Sequence, residues 1–218
     1  MAFDGSIKVK LHLSTPAFAG GVRSDTLDTL RPPTIKSLLR WWWRTKHPRW
    51  SGEDLYNAEA VVWGSAPFRR DADDRSKPPR GGQGTRLIPG VTIQEIRGGQ
   101  FSLSTNNLRY LAYGVMAPEG EQTPTNPPCL SAGTTLEFRL VPHPRAKKKL
   151  VNELYHALWL MSTFGGIGQR SRRGWGSVRL ETDYPGELPD VHTHNKPVKA
   201  IAAGLKTILG ARSTLPEA

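Results

Sequence analysis

Two segments that combine arginine with tryptophan hold the side chains best suited to bind an anionic ligand. The first, residues 31–50, reads RPPTIKSLLRWWWRTKHPRW and contains six Lys or Arg residues and no Asp or Glu. Lys36, Arg40 and Arg44 recur every four residues, which places them on one face of a helix. Such a face suits phosphate groups, because guanidinium pairs with phosphate oxygens through two parallel hydrogen bonds. A helix surface with plain solvated charge is the alternative interpretation.

The run Trp41, Trp42 and Trp43 cannot turn all three side chains toward one core. Consecutive residues of a helix point about 100° apart, so the three rings span most of its circumference. We expect Trp42 to continue the buried stripe of the helix. Trp43 is expected beside Arg44, exposed for stacking. Burial is an equal alternative for Trp41 and Trp43, because tryptophan is mostly buried in proteins.

The second segment, residues 165–180, reads GGIGQRSRRGWGSVRL and interleaves glycine with arginine. Its glycines are Gly165, Gly166, Gly168, Gly174 and Gly176, and between them lie Arg170, Arg172, Arg173 and Trp175. Glycine permits positive φ and the close approach of another backbone. No Asp or Glu occurs between Leu154 and Leu180. The composition suits a sugar–phosphate chain, with arginine on phosphate and tryptophan stacked on a base.

Nucleotide-cofactor loops do not explain this segment. A dinucleotide fingerprint needs glycine where Ser171 stands, and it follows a strand and opens a helix. Here the predicted loop follows a helix and leads into a strand. The G-K-[ST] ending of a phosphate-binding Walker loop is absent. An ordinary glycine-rich turn is the minor alternative.

Charge and composition favour a nucleic-acid partner. The chain has 218 residues, a formal net charge of +11 and a pI of about 10.1, which describes its partners rather than its fold. Cys129 is the only cysteine, so no disulfide within the chain is expected. The sequence has no apolar run of about 20 residues that would span a membrane and no signal-peptide pattern. We therefore expect a cytoplasmic protein that does not act at a membrane.

Hydrophobic periodicity predicts an α+β fold. Strands are predicted at 6–13, 85–96, 134–141 and 176–181, helices at 34–47, 53–62 and 146–163, and insert loops at 64–84 and 117–133. Without the short second helix the order is βαββαβ, which is the ferredoxin-like (RRM-type) plan. We assign this domain to residues 1–182, with a C-terminal tail at 183–218 that could contain a helix at 198–210.

Three motifs, in the same order over roughly residues 6–181, resemble signatures of the RAMP superfamily, the repeat-associated proteins of CRISPR effector complexes. GIGQRSRRGWGSV looks like the C-terminal glycine-rich motif of that superfamily. IKSLLRWWWR is similar to the helix motif of the first RAMP subunit of the Cmr complex, and STPAFAGG is similar to the stretch before that helix. Members of this subunit family are often longer, with two ferredoxin-like halves, whereas the residues after Glu181 are too few for a second half.

The resemblance implies an RNA-binding structural subunit of a type III (Cmr, III-B) CRISPR effector ribonucleoprotein in antiviral defence. Its implied partners are crRNA, target RNA and the other subunits of the complex. By motif, the RNA contacts are Lys36, Arg40, Trp43 and Arg44 in the helix and Arg170, Arg172, Arg173 and Trp175 in the loop, which the five glycines shape. A pure assembly subunit without RNA affinity of its own is an alternative.

A metal-dependent RAMP endoribonuclease is the second alternative. Asp25 and Asp28, after the first predicted strand, are the best candidates for metal-assisted cleavage, although a solvated loop role is favoured for both. His12 is the candidate for metal-independent cleavage, but it lies within a strand. His192 and His194 have a spacing that a metal could use, with no Cys or third His to complete a site. We therefore predict no enzyme, no metal and no cofactor.

Overall fold

The structure, a computed structural model, describes residues 6–18, 32–64, 86–88, 111, 129–142, 148–183 and 187–210. The strands in these ranges are β1 (Ile7–Leu13), β2 (Ala17–Phe18), β3 (Arg86–Ile88), β4 (Cys129–Leu130), β5 (Thr135–Val141) and β6 (Val178–Thr182). The helices are α1 (Pro32–Thr45), α2 (Gly52–Trp63), α3 (Lys148–Phe164) and α4 (Pro197–Leu209). A short 3₁₀ turn at Ser171–Arg173 precedes β6.

The main sheet has four strands in the order β3, β5, β1, β6, and each neighbouring pair is antiparallel. In the register of this sheet, Val9 of β1 lies between Phe138 of β5 and Thr182 of β6. β2 and β4 form a separate two-stranded ribbon. The predicted α+β class, with helices and an antiparallel sheet, is therefore confirmed.

Alternation along β1 and β5 separates a buried face of the sheet from an open face. The four apolar residues of β1 are buried, whereas Lys8 and Lys10 between them are exposed. Leu136, Phe138 and Leu140 of β5 join the buried face. Burial contributes about 1.5–3 kcal/mol for each large aliphatic side chain, so this face holds the helices against the sheet.

Helices α1 and α3 cover the buried face, where Leu39, Leu154 and Leu158 have no exposed surface. α1 begins at Pro32, earlier than the predicted residue 34. Both prolines fit there because the first helical turn needs no intrahelical partner for its N–H groups. α3 spans Lys148–Phe164, close to the predicted 146–163.

Helix α2 occupies Gly52–Trp63, close to the predicted 53–62. Its first turn is capped by Ser51, whose hydroxyl accepts a hydrogen bond from the Asp54 N–H at 3.1 Å. Val62, Glu59 and Trp63 are its buried residues. The carboxylate of Glu59 could not be assigned to a core from apolar periodicity alone.

Helix α4 packs on α3 in the tail where the sequence suggested a helix. Gly204 lies so close to the indole of Trp159 that a Cβ would collide with the ring. The same indole donates a hydrogen bond from Nε1 to the carbonyl of Pro189 at 2.8 Å. None of the described helices combines the length and the apolar character needed to cross a membrane.

Some predicted features lie outside the described residues. These are Asp25, Asp28, most of the insert loops at 64–84 and 117–133, and most of the predicted strand at 85–96, of which β3 is described.

Candidate nucleic-acid interface

The glycine-rich loop, residues 165–176, is fastened to the turn that follows β1. The Gly176 N–H donates to the carbonyl of Pro16 at 2.7 Å, and the Gln169 N–H donates to the carbonyl of Phe18 at 2.9 Å. The Thr15 hydroxyl donates to the carbonyl of Gly174 at 2.7 Å. These bonds satisfy backbone groups that would otherwise be buried without partners, so the loop has a defined conformation.

Close backbone contact requires glycine at three loop positions, Gly166, Gly168 and Gly176. Gly168 has φ +80°, and a Cβ there would stand 2.5 Å from the Phe18 carbonyl oxygen. Gly166 would place a Cβ 2.5 Å from the carbonyl oxygen of Gly176. Glycine is therefore needed at these positions to pack one backbone directly on another.

The arginine tip, residues 170–173, projects from this anchored base. Arg172 and Arg173 are exposed, and Arg170 is half-buried. Arg170 has φ +60° and is the one non-glycine residue with positive φ in the described part of the chain. An L-residue in this left-handed region costs about 1–2 kcal/mol. The loop thus directs guanidinium groups outward from a rigid support.

Trp175, which was predicted to stack on a base, is buried in the structure. Only 6% of Trp175 is exposed, and its ring packs on Phe18 with centroids 4.8 Å apart. The ring fills the space between the loop and the turn after β1. From sequence alone, a tryptophan between two glycines is expected to be exposed for stacking. In the structure, the flanking glycines allow the turn to close over the ring.

The three consecutive tryptophans are also arranged differently from the prediction. Trp43, expected to be exposed, is 2% exposed, and its Nε1 donates to Glu153 Oε2 at 2.9 Å. Trp41 is the exposed ring, at 48%. Trp42 is half-buried, with Trp41 packed edge-on against it at 4.8 Å. The buried stripe runs through Ile35, Leu39 and Trp43 because α3 approaches that side of α1.

The basic helix face, Lys36, Arg40 and Arg44, meets a carboxylate that sequence analysis missed. Glu59 of α2 accepts hydrogen bonds from Arg40 Nε at 2.5 Å and from Arg44 Nε at 3.0 Å. Arg44 Nη2 adds a further bond to Glu59 Oε2 at 2.8 Å. Glu59 therefore neutralises part of the positive charge of this helix face. Burial, and secondly the nearby charge of Arg40, lower the pKa of Lys36.

The helix and the loop meet at Trp42. A Cβ on Gly165 would stand 2.6 Å from Trp42 Nε1, and the Phe164 ring stacks on Trp42 with centroids 6.4 Å apart. The two arginine-rich segments are thus in direct contact where α3 ends and the loop begins. On α1, Trp42 lies two residues, about 200°, from both Arg40 and Arg44, so this contact is on the side of the helix away from the basic face.

A second ionic cluster joins α1 to α3. Lys46 Nζ donates to Glu153 Oε1 at 2.7 Å and lies 3.0 Å from His156 Nδ1. Burial, and secondly the charge of Lys46, lower the pKa of His156 to about 4. Although burial alone would raise the pKa of Glu153, the hydrogen bond and charge of Lys46 lower it. The Lys46 side chain is therefore mostly buried and paired with Glu153.

The open face of the sheet is a network of paired polar groups. His12 Nδ1 lies 3.0 Å from Thr135 Oγ1, and His12 Nε2 lies 3.0 Å from Glu181 Oε2. The bond from His12 is the main cause that lowers the pKa of Glu181. With both ring nitrogens engaged, His12 is held by its neighbours, which favours a structural role.

The histidines of the tail show no metal-site geometry. His192 and His194 are exposed, and His194 Nδ1 accepts a hydrogen bond from the Lys196 N–H at 2.9 Å. Across the described ranges, no three His, Cys, Asp or Glu side chains are grouped as metal ligands.

Comparison with protein families identifies the class of protein. A family model described as the RAMP superfamily matches residues 10–179. This span covers most of the chain, from the middle of β1 to the start of β6, and includes the glycine-rich loop, so the chain belongs to the RAMP superfamily. No curated protein matches its sequence.

Two solved structures resemble the fold. Cmr1 from Pyrococcus furiosus, in its apo crystal form, aligns with a TM-score of 0.57 and 17% identity, over 94% of this chain and 60% of that chain. A chain of the type III-B Cmr-beta complex bound to cognate target RNA, solved by cryo-EM, aligns with a TM-score of 0.52 and 13% identity, over 94% of this chain and 62% of that chain. The chain spans about three fifths of the length of each.

Proposed function

We propose that this protein is a non-catalytic, RNA-binding subunit of a type III CRISPR effector ribonucleoprotein of the Cmr kind. The observation that carries the proposal is the glycine-rich loop, whose backbone is hydrogen-bonded to Pro16 and Phe18 and whose Arg172 and Arg173 are exposed. RAMP membership and the likeness to chains of Cmr proteins support the placement in such a complex. Its RNA partners would be crRNA and paired target RNA.

The ferredoxin-like plan is part of this proposal. The four strands of the main sheet, taken in chain order as first to fourth, lie in the spatial order second, third, first, fourth, and all neighbours are antiparallel. This arrangement supports a split βαβ architecture, with α2 as an addition after the first helix. The RNA surface we propose lies at the helix and loop rather than on the open face of the sheet, which is occupied by ion pairs such as Lys10 with Glu137.

Phosphate contact at the arginine tip explains the loop best. Its backbone is fastened on both sides, and Arg172 extends into solvent with no carboxylate partner among the described residues. Arginine in this setting binds phosphate through paired hydrogen bonds. A rigid loop that presents such groups loses little conformational freedom when RNA binds.

A binding assay with single-stranded RNA tests the proposal. The double variant Arg172→Glu, Arg173→Glu should weaken binding of a fluorescein-labelled oligouridine and make the dependence of log Kd on log salt less steep, by about 0.7 for each lost phosphate contact. The matched control is the double variant Lys199→Glu, Lys206→Glu, which makes the same change in net charge at two exposed lysines of α4. Equal losses for control and loop variants would contradict the proposal, since they would reflect net charge alone.

The two alternatives give different results in the same experiment. A pure assembly subunit would bind the RNA weakly and without a steep salt dependence. An endoribonuclease would produce shorter fragments of the labelled RNA with magnesium and fewer with EDTA, and Asp25→Ala or Asp28→Ala would abolish them. We expect binding with the RNA intact under both conditions.

A further inference from the structure

Glu59 is a buried carboxylate placed under two surface arginines. Its side chain is 5% exposed, whereas those of Arg40 and Arg44 are 37% and 46% exposed. A buried charge is retained at low cost only where several charged hydrogen bonds compensate for lost hydration. Here both carboxylate oxygens accept bonds from guanidinium groups of α1.

The contacts to Glu59 use only one edge of each guanidinium. Arg40 binds through Nε, and within the described ranges no residue accepts a hydrogen bond from its Nη1 or Nη2. Arg44 binds through Nε and Nη2, which leaves Nη1 unused by Glu59. Since the guanidinium is planar and rigid, fixing its inner edge also fixes the direction of its outer donors.

The surface above Glu59 stays cationic after this pairing. Two guanidinium groups share one carboxylate, and Lys36, which lies one turn away, has no carboxylate partner within the described ranges. The charge of Arg40 is close enough to lower the pKa of Lys36. Such a surface attracts an anion, because bringing one in relieves the repulsion among the three cations.

We infer that Glu59 is a positioning residue of the RNA interface: it holds Arg40 and Arg44 side by side so that their outer donors meet the phosphates of the bound strand. The inference rests on the proposed function and extends it to a residue on a different helix. It assigns α2 the role of a support for the basic face of α1. It also explains why a carboxylate lies beneath a surface that we propose binds an anion.

The two possible roles of Glu59, charge neutralisation and positioning, predict opposite changes in RNA affinity when Glu59 is replaced by glutamine. If Glu59 only neutralises the arginines, Glu59→Gln adds one net positive charge, and RNA should bind more tightly. If Glu59 positions them, both side chains lose their anchor, and Kd should rise about tenfold despite the added charge. The measurement is fluorescence anisotropy with labelled oligouridine at several salt concentrations. Glu187→Gln, an exposed change with the same gain in charge, is the control.

Arg40→Lys tests the same inference without removing the buried carboxylate. Lysine keeps the charge but has one nitrogen, which Glu59 would occupy, so we expect RNA affinity to fall as far as in Arg40→Gln. This variant keeps the inference testable if Glu59→Gln fails to fold by circular dichroism. Wild-type affinity in Arg40→Lys, or tighter binding in folded Glu59→Gln, would overturn it. Loss of affinity in the arginine-tip variant with either of those results would leave the proposed function standing, whereas no RNA affinity in the wild type would remove both.

Discussion

The α-carbon of Gly165 lies against the indole of Trp42, and a Cβ at residue 165 would stand 2.6 Å from the ring nitrogen. This contact joins the end of α3 to the tryptophan run of α1. The indole itself is held between Trp41 and Phe164, so it has little room to move away. A hydrogen atom is therefore the largest substituent that the junction accepts.

Replacing Gly165 should separate the helix from the loop. We expect Gly165→Ala to lower the free energy of unfolding by about 1–3 kcal/mol, since it overpacks a filled site. Trp42→Leu in the same chain should restore part of this loss by making space. Gly52→Ala is the control, because a Cβ at Gly52 meets nothing within 4 Å. Urea denaturation measures all four proteins, and an unchanged midpoint for Gly165→Ala would contradict the packing.

Replacing Arg170 with glycine should raise stability but weaken RNA binding. Because Arg170 has φ +60°, Arg170→Gly relieves backbone strain and should raise the free energy of unfolding by about 0.5–1 kcal/mol, after the entropy of glycine in the unfolded chain is subtracted. Its RNA affinity should fall, because a guanidinium is lost.

Arg172→Gly is the comparison for this variant, because Arg172 lies in the 3₁₀ turn without positive φ. It should lose both stability and RNA affinity. Thermal unfolding and anisotropy distinguish the two variants, and destabilisation of Arg170→Gly would refute the strain argument.

The exposed and the buried tryptophan of α1 should have separable roles. Trp41→Ala should change stability little, because the ring is 48% exposed, and should weaken RNA binding by about 1–3 kcal/mol if the ring stacks on a base. Trp43→Ala should lower the free energy of unfolding by about 3–5 kcal/mol, since a buried ring and its bond to Glu153 are lost. Trp41→Phe should keep most of the binding. Full affinity in Trp41→Ala would exclude a stacking role for this ring.

His156 should make the protein less stable in mild acid. Its pKa is about 4 in the folded chain, whereas the ordinary value is near 6.5. Between these pH values the unfolded state binds a proton that the folded state does not, so stability falls as pH decreases from about 6.5 to 4. Glu153, whose pKa is lowered by Lys46, adds to the loss at the acid end of that range.

A glutamine at residue 156 cannot take up this proton, so His156→Gln should flatten the pH dependence. Urea midpoints measured at several pH values between neutral and mildly acidic test this. The wild type and His156→Gln should converge as the pH falls. Parallel curves for the two proteins would show that another group is responsible. Exposed His192, changed to Gln, serves as the control.

Local periodicity in the sequence was sufficient to predict most of the helices and strands. β1 and β5 were predicted because alternation along a strand reports directly on which face is buried. The helices α1, α2 and α3 were predicted from apolar spacing, and the glycine pattern of residues 165–176 identified the loop and the superfamily. Each of these inferences depends on residues that are close together in the chain.

Tertiary packing decided which side chains of the candidate site face outward. Trp43 rather than Trp42 is buried because α3 approaches α1 on that side, and Trp175 is buried because Phe18 folds over it. Because their own segment contains no acid, Arg40 and Arg44 were interpreted as unpaired, yet they bind Glu59 of the next helix. An amphipathic pattern records that a helix has an inner face, but the position of the neighbouring helix sets its exact orientation and supplies its ionic partners.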